Sequence, residues 1–313
     1  MGYKDYPGNE ELKKLFKKLI SNGVLPQSLI LQGGKFSFKE KTGFEIAKAL
    51  HCEKGDGDSC GECKQCRLMS GLKTEDEGEI KPSHPDFLYI EPEKDIIKID
   101  TVRNIMEFII SRPMISKRKV VLIKDIDKMN TQAFNAFLKI LEEPYSYVYY
   151  ILTTERLNLL ADTIRSRCQV FHLKNVNKKI IYEFYNNIPE KNIDYALVIG
   201  VSPEDVSEDE VEVYGNLKAV LSELLDSGST RYLIKLKEAY DSIEKNRKKE
   251  FLKILIGLLK KYFMNIIYNP DEKQEEISII RDKIFKIEEI EQDIFKNMNI
   301  DIIFTVLISD IIL

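Results

Sequence analysis

The sequence contains no apolar run approaching ~20 residues, the length a helix needs to cross a bilayer, so no transmembrane helix is expected. Met1 to Glu11 is polar and lacks the apolar core of a signal peptide, which places the chain in the cytoplasm as an expectation. Basic residues are not in excess: 47 lysines and arginines face 51 acidic residues, a net charge of −4. That balance excludes a protein that grips nucleic acid alone over a broad basic face. It still allows a subunit that adds a few contacts to a shared channel. There is no internal repeat and no low-complexity tract. What is present is ordinary: 43% hydrophobic and 31% charged residues over 313 positions, enough for two or three globular domains.

Cysteine is scarce, five in all, which makes its clustering informative. Cys52, Cys60, Cys63 and Cys66 form C-x7-C-x2-C-x2-C, with Gly55, Gly57 and Gly61 letting the chain fold back. Cytosolic cysteines seldom cluster without a metal or redox task. Four thiolates at this spacing suit tetrahedral zinc in a closed, structural site. An iron–sulfur cluster fits by count. A redox role for Cys63 and Cys66 is weaker, because nothing in the sequence places them at a helix N-terminus. His51, beside Cys52, is read as the end of a helix, and the distant Cys168 as a core residue.

The first half alternates strand and helix patterns. Strands are expected at Ser28–Gln32, Asp86–Ile90, Val120–Ile123, Tyr147–Leu152 and Gln169–Leu173. Helices are expected over Phe44–Leu50, from an Asp100 cap to Ile110, and from a Thr131 cap to about Glu143, where Pro144 stops the last. The alternation predicts a parallel α/β sheet with both faces covered. Beyond Leu173 the pattern turns helical. Lys178–Ile188 reads as one helix and Tyr195–Gly200 as a short one. Ser202–Glu212, acidic with a proline, reads as a linker. Leu217, Val220, Leu221 and Leu224 then form one apolar stripe, and Phe251, Leu255, Leu258 and Tyr262 another. The largely apolar Ile300–Leu313 should be buried in a bundle or a subunit contact.

Between the first strand and its helix lies Gly33-Gly34-Lys35-Phe36-Ser37-Phe38-Lys39-Glu40. A working phosphate loop reads G-x-x-x-x-G-K-[ST], with glycines for close backbone approach, a lysine for the phosphates and a hydroxyl for magnesium. Gly33 and Lys39 match. Phe38 stands where the second glycine belongs and is expected to bring its side chain into the phosphate space. Glu40 replaces the hydroxyl with a negative charge. The third strand ends in Lys124-Asp125, where an active enzyme carries two acids, one for magnesium and one to activate water. A lysine cannot hold magnesium.

These features together resemble the AAA+ clamp-loader subunits of bacterial DNA polymerase III, and their delta-prime branch in particular. The resemblance runs from about Gly8 to Leu173. It is carried by the cysteine cluster, His84-Pro85-Asp86, Ile99 to Arg103, Lys119 to Met129, Asn135 to Pro144 with its Leu-Glu-Glu-Pro end, and Arg165-Ser166-Arg167-Cys168. Gamma and tau keep an intact phosphate loop, and this chain does not. It departs from the family pattern at Gln27, where histidine is usual, and in an acidic insertion over 72–81. Gly200 to Pro203 has no arginine or lysine nearby, whereas active members carry a sensor arginine there.

The resemblance implies an AAA+ domain with zinc module (about 52–66) over residues 1–172, a helical lid over 173–206 and a helical collar over 207–313. It implies a non-hydrolysing stator that joins gamma or tau and delta, and through them the sliding clamp and primed DNA. Arg167, in the Ser166-Arg167-Cys168 motif, would act as an arginine finger at the neighbouring subunit's ATP site. Gly33, Lys39 and Thr154 would be the remnant of its own nucleotide site, with no productive ATP binding. Two other readings are an active gamma-type ATPase, opposed by Phe38, Glu40 and Lys124, and a zinc-dependent nucleic-acid-binding protein. The second is opposed by Glu53, Asp56, Asp58 and Glu62 around the cysteines, since acids repel phosphate.

Overall fold

The β-branched and apolar runs of the first half pair into one sheet whose three interior strands, at 28–32, 119–123 and 148–154, bury both faces as parallel strands must. The computed structural model describes residues 2–70, 72–73, 80–81, 83–93, 95–227, 229–245, 247–268, 274–295 and 299–312. It divides into two units, Met1–Phe184 and Tyr185–Leu313.

In the first unit the strands are β1 (Ser28–Gln32), β2 (Phe87–Ile90), β3 (Lys119–Ile123), β4 (Val148–Thr154) and β5 (Gln169–His172). Every pair is parallel and the order is β2-β3-β4-β1-β5. This is the five-stranded parallel sheet expected from the sequence. The helices are α1 (Glu10–Ser21), α2 (Lys39–His51), α3 (Lys64–Met69), α4 (Ile99–Ile110), α5 (Thr131–Glu142), α6 (Asp162–Arg165) and α7 (Lys178–Phe184). α2 sits close on the sheet: a Cβ at Gly43 would stand 2.9 Å from Leu122 and 3.2 Å from Ile151. α4 and α5 bury Val102, Ile105, Ile109, Ala133, Phe137 and Ile140 in the same core as β3 and β4. Each fully buried aliphatic contributes roughly 2 kcal/mol of transfer free energy before entropy is counted.

Two helix starts differ from the sequence expectation. α4 is capped by Lys98, not Asp100, whose carboxylate instead accepts from Arg103 inside the first turn. The start is fixed by Ile97, which bridges to Met129 and so ends the extended segment there. α5 is capped by Asn130, whose side chain accepts from Ala133 N at 2.8 Å, one residue before Thr131. Of the insertion, Leu72–Lys73 pairs antiparallel with Ile80–Lys81; residues 74–79 lie outside the described residues.

The second unit is helical: α8 (Glu190–Ile199), α9 (Glu208–Ser227), α10 (Thr230–Ser242), α11 (Lys248–Ile267), α12 (Gln274–Phe295) and α13 (Ile300–Leu307). The expected linker over Ser202–Glu212 is largely helix. Ser207 N donates to Glu210 Oε2 while Ser207 Oγ accepts from Glu210 N, a reciprocal cap that starts α9. Val211 and Tyr214 behind it are buried. The helix expected over Lys178–Ile188 ends at Phe184. The apolar stripe of α9 and the broad apolar face of α11 form one core with Ile303, Phe304 and Leu307 of α13. Tyr240 stacks on Phe304 at 3.9 Å and donates its hydroxyl to Asp301. Among the described residues no helix is long and apolar enough to cross a membrane.

Candidate functional site

Three groups of residues were singled out by sequence, and the fold gives each a definite setting. The cysteine group hangs from the C-terminal end of α2. Cys52 caps that helix, and the chain turns back through Gly55, Gly57 and Gly61, all with positive φ. Gly57 (φ 86°) passes so close to α1 that a Cβ there would meet the Lys17 carbonyl oxygen at 2.0 Å, so only glycine fits. An ion pair between Lys17 and Asp58 and a bond from Ser59 Oγ to Glu45 at 3.0 Å dock the loop. The four Sγ atoms of Cys52, Cys60, Cys63 and Cys66 lie within 4.8 Å of one another. Cys60 and Cys66 are 3.9 Å apart, close to the ~3.8 Å edge of a tetrahedron with 2.3 Å metal–sulfur bonds. The arrangement fits a tetrahedral thiophilic ion.

The thiol electrostatics agree with that fit. Backbone N–H groups of Cys63 and Glu62 lower the Cys60 thiol to about 6. Burial pushes Cys52 and Cys66 up, so both need a cation to ionise. One expectation is corrected here. Cys63 does stand at a helix N-terminus: it caps α3, and its Sγ accepts from Cys66 N at 3.4 Å.

Behind the cysteines lies a buried network that sequence reasoning did not assemble. His51 stacks on His84 with ring centroids 4.1 Å apart. His84 Nδ1 accepts from Asp86 N, and its Nε2 faces Gln65 Oε1 at 2.7 Å. The Asp86 carboxylate accepts from the backbone N–H groups of Met114, Ile115 and Ser116 at 2.7–2.9 Å. Burial opposes its charge, but these three donors with His84 outweigh it and hold the carboxyl below its ordinary value. Burial pushes His51 down to about 3, with His84 adding to the effect. Both imidazoles are lowered and so neutral near pH 7. The adjacency of His84-Pro85-Asp86 was the available signal; the pairing with His51 had none.

The second group is the loop after β1. Phe38 adopts φ 57° and ψ 32°, the left-handed conformation that suits the glycine of a working loop. The expectation that its ring enters the phosphate space is corrected by its packing. The ring is buried against Tyr6 and Phe184, with centroids at 6.0 and 5.3 Å. The groups against the loop lysine are carboxylates. Lys39 Nζ lies 3.0 Å from Glu40 Oε1 and 3.4 Å from Glu155 Oε1, and the side chain is 2% exposed. Burial opposes the Lys39 charge, yet Glu40 and Glu155 hold its pKa above the ordinary lysine value. Thr154 Oγ1 donates to Asp127 at 2.7 Å, and Arg156 pairs with the other oxygen of that acid. Lys124, just past β3, reaches Glu91 at 3.8 Å. Asp125 pairs with Lys128 at 3.3 Å.

The third group is Arg165-Ser166-Arg167-Cys168 between α6 and β5. Ser166 caps α6 and donates to Thr163 O. Cys168 is buried in the sheet core, and burial raises its thiol to about 12. Arg167 is one-third exposed. Its Nη2 donates to Glu142 Oε1 at 2.9 Å and its Nη1 to Thr163 O at 2.8 Å. The Leu-Glu-Glu-Pro and Ser-Arg-Cys segments, well apart in sequence, thus meet through one ion pair.

A parallel sheet with a loop-and-lysine turn after an interior strand defines an α/β protein of the phosphate-loop type, here joined to a four-cysteine centre. Residues 8–177 match the family described as "DNA polymerase III, delta subunit", and the chain belongs to that clamp-loader family. It is 27% identical over 268 residues to the DNA polymerase III subunit gamma/tau of Mycoplasma genitalium, covering 84% of this chain and 42% of that protein. It is 35% identical over 125 residues to the subunit delta' of Pseudomonas aeruginosa, covering 39% and 35%. It is 30% identical over 176 residues to the subunit delta' of Bacillus subtilis, covering 55% and 50%. The chain therefore spans only about a third to a half of the length of these relatives.

Proposed function

We propose that this chain is the delta-prime-type stator of a DNA polymerase III clamp loader, with no ATP hydrolysis of its own. The observation that carries this reading is the state of Lys39. The lysine that should meet a phosphate is already matched by Glu40 and Glu155, and no acid stands at Lys124 for magnesium. The partners in this reading are gamma or tau and delta, with the sliding clamp and primer–template DNA as the substrates of the whole assembly. The helices over 173–206 serve as a lid and those over 207–313 as a collar joining the ring. The four cysteines hold one structural zinc, which ties the end of α2 and the loop after it to α3 and supplies no chemistry.

Arg167 is the group the chain lends out. Its guanidinium is planar and can present two parallel donors to phosphate oxygens. At a neighbour's ATP site it would exchange Glu142 for the transferring phosphate, and such fingers are worth ~10³–10⁵ in rate. The test is a reconstituted complex with wild-type or Arg167→Ala protein, compared at saturating ATP with clamp and DNA. Stimulated hydrolysis should fall by about 10³ while assembly is kept, and Lys at this position should not restore it fully. Equal rates from equally assembled complexes would leave the chain a scaffold only.

A second reading has one observation in its favour, the gamma/tau match over 84% of the chain. An active gamma-type subunit would bind Mg-ATP in isolation, and the stator would not.

A further inference from the structure

Lys39 is the first residue of α2, at the C-terminal edge of a parallel sheet, where open α/β folds hold anionic ligands. A buried ammonium needs a counter-charge, because its desolvation is otherwise too costly. The protein supplies that charge from two directions. Glu40 comes from the same helix turn. Glu155 comes from the residue directly after β4, 116 positions away in sequence.

Glu155 is held in place on both sides. Gln32 Nε2 at the end of β1 donates to the Glu155 carbonyl at 3.3 Å. The flanking Thr154 and Arg156 are both bonded to Asp127. The loop itself is closed: Ser37 N and Oγ both donate to Gly34 O, at 3.1 and 2.7 Å. A Cβ at Gly33 would meet that same Ser37 hydroxyl at 2.4 Å. The other charges facing this point are Lys35 and Asp125. Loss of the magnesium ligands alone would leave a lysine able to take an anion. The carboxylates remove that possibility as well.

We infer that Glu155, assisted by Glu40, is an internal anion that occupies the place of a phosphate on Lys39 and locks the loop. Removing the two charges exposes a latent site for an anion of the pyrophosphate class. The inference rests on reading this turn as a decayed phosphate loop. It explains why the site is shut by charge although the Phe38 ring is directed elsewhere, onto Tyr6 and Phe184.

The test uses the full chain and inorganic pyrophosphate. Glu40→Gln/Glu155→Gln keeps side-chain shape and removes both competing charges. Calorimetry should show pyrophosphate bound at least about tenfold more tightly than by wild type, the size expected when close carboxylates leave a partly screened lysine. Adding Lys39→Ala should abolish the gain. If the double variant does not fold, Glu155→Asp decides the matter: it withdraws the carboxylate by one methylene and should gain about threefold. A folded variant that binds no better than wild type overturns the inference. So does a gain that survives Lys39→Ala, or wild-type protein that already binds as tightly. None of these results bears on Arg167, whose test reads hydrolysis at a neighbouring subunit's site.

Discussion

Phe38 holds a conformation that glycine would adopt freely, and it does so for its packing. A left-handed, bulky residue carries strain of about 1 kcal/mol or more, while its ring fills the space between Tyr6 and Phe184. Loss of a buried phenylalanine costs about 3–5 kcal/mol. Phe38→Gly should therefore destabilise the protein by about 2–3 kcal/mol in urea unfolding, despite restoring the family glycine; a stabilised variant would show that strain outweighs packing. Asp86 offers a pH test. Its folded pKa is depressed, so its contribution is complete above the ordinary carboxylate value of about 4 and is lost as pH falls through its lower folded value. Asp86→Asn should cost about 2 kcal/mol at pH 7, and its difference from wild type should shrink in acid. Any acid effect common to both chains cancels, so a pH-independent difference would refute the assignment. The residues that decide these arguments were unequally legible. Lys39 and Arg167 stand in recognisable motifs. Glu155 does not, because a lone glutamate after a strand carries no pattern until the fold brings it to its cation; Glu142 lies in the Leu-Glu-Glu-Pro motif, but nothing in that motif shows that it meets Arg167.

Elements were legible where burial dictated them. The continuous apolar runs at Ser28–Gln32 and Val120–Ile123 could only be strands buried on both faces, and Pro144 ended α5 as expected. Caps were not, because they depend on which neighbour wins a backbone N–H: Asn130 outcompetes Thr131, and Ile97 sets the start of α4. The acidic stretch before Val211 read as a linker by composition. Yet Ser207 and Glu210 sit at capping-box spacing, the signal that places α9 there. The cysteine loop is the element whose integrity is easiest to test. Purified protein should carry about one zinc per chain, and Cys63→Ser should lose the metal while keeping the cap of α3, since a serine hydroxyl accepts from Cys66 N as the thiol does. Because burial keeps Cys52 and Cys66 protonated without a cation, metal uptake at neutral pH should release protons. Elemental analysis and proton release during zinc titration check this; a Cys63→Ser chain with full metal content would remove the proposal.

At the scale of the molecule the stator reading makes a simple demand. A ligand that binds only the folded state must raise the unfolding temperature by mass action. Mg-ATP at millimolar concentration should leave that temperature unchanged for the isolated chain, and a rise with turnover would instead favour the gamma-type reading. The sheet order has a further bearing, on how the chain is made. β1 lies at the interior of the sheet, yet both strands that flank it are synthesised more than a hundred residues later, His172 standing 140 positions beyond Gln32. During translation Leu29, Ile30 and Leu31 thus wait with both edges unpaired until β4 and β5 emerge. Such non-local pairing slows folding and leaves an apolar strand open to wrong partners. The nascent chain is most vulnerable over that interval, and the Lys39–Glu155 contact can close only after β4 has emerged.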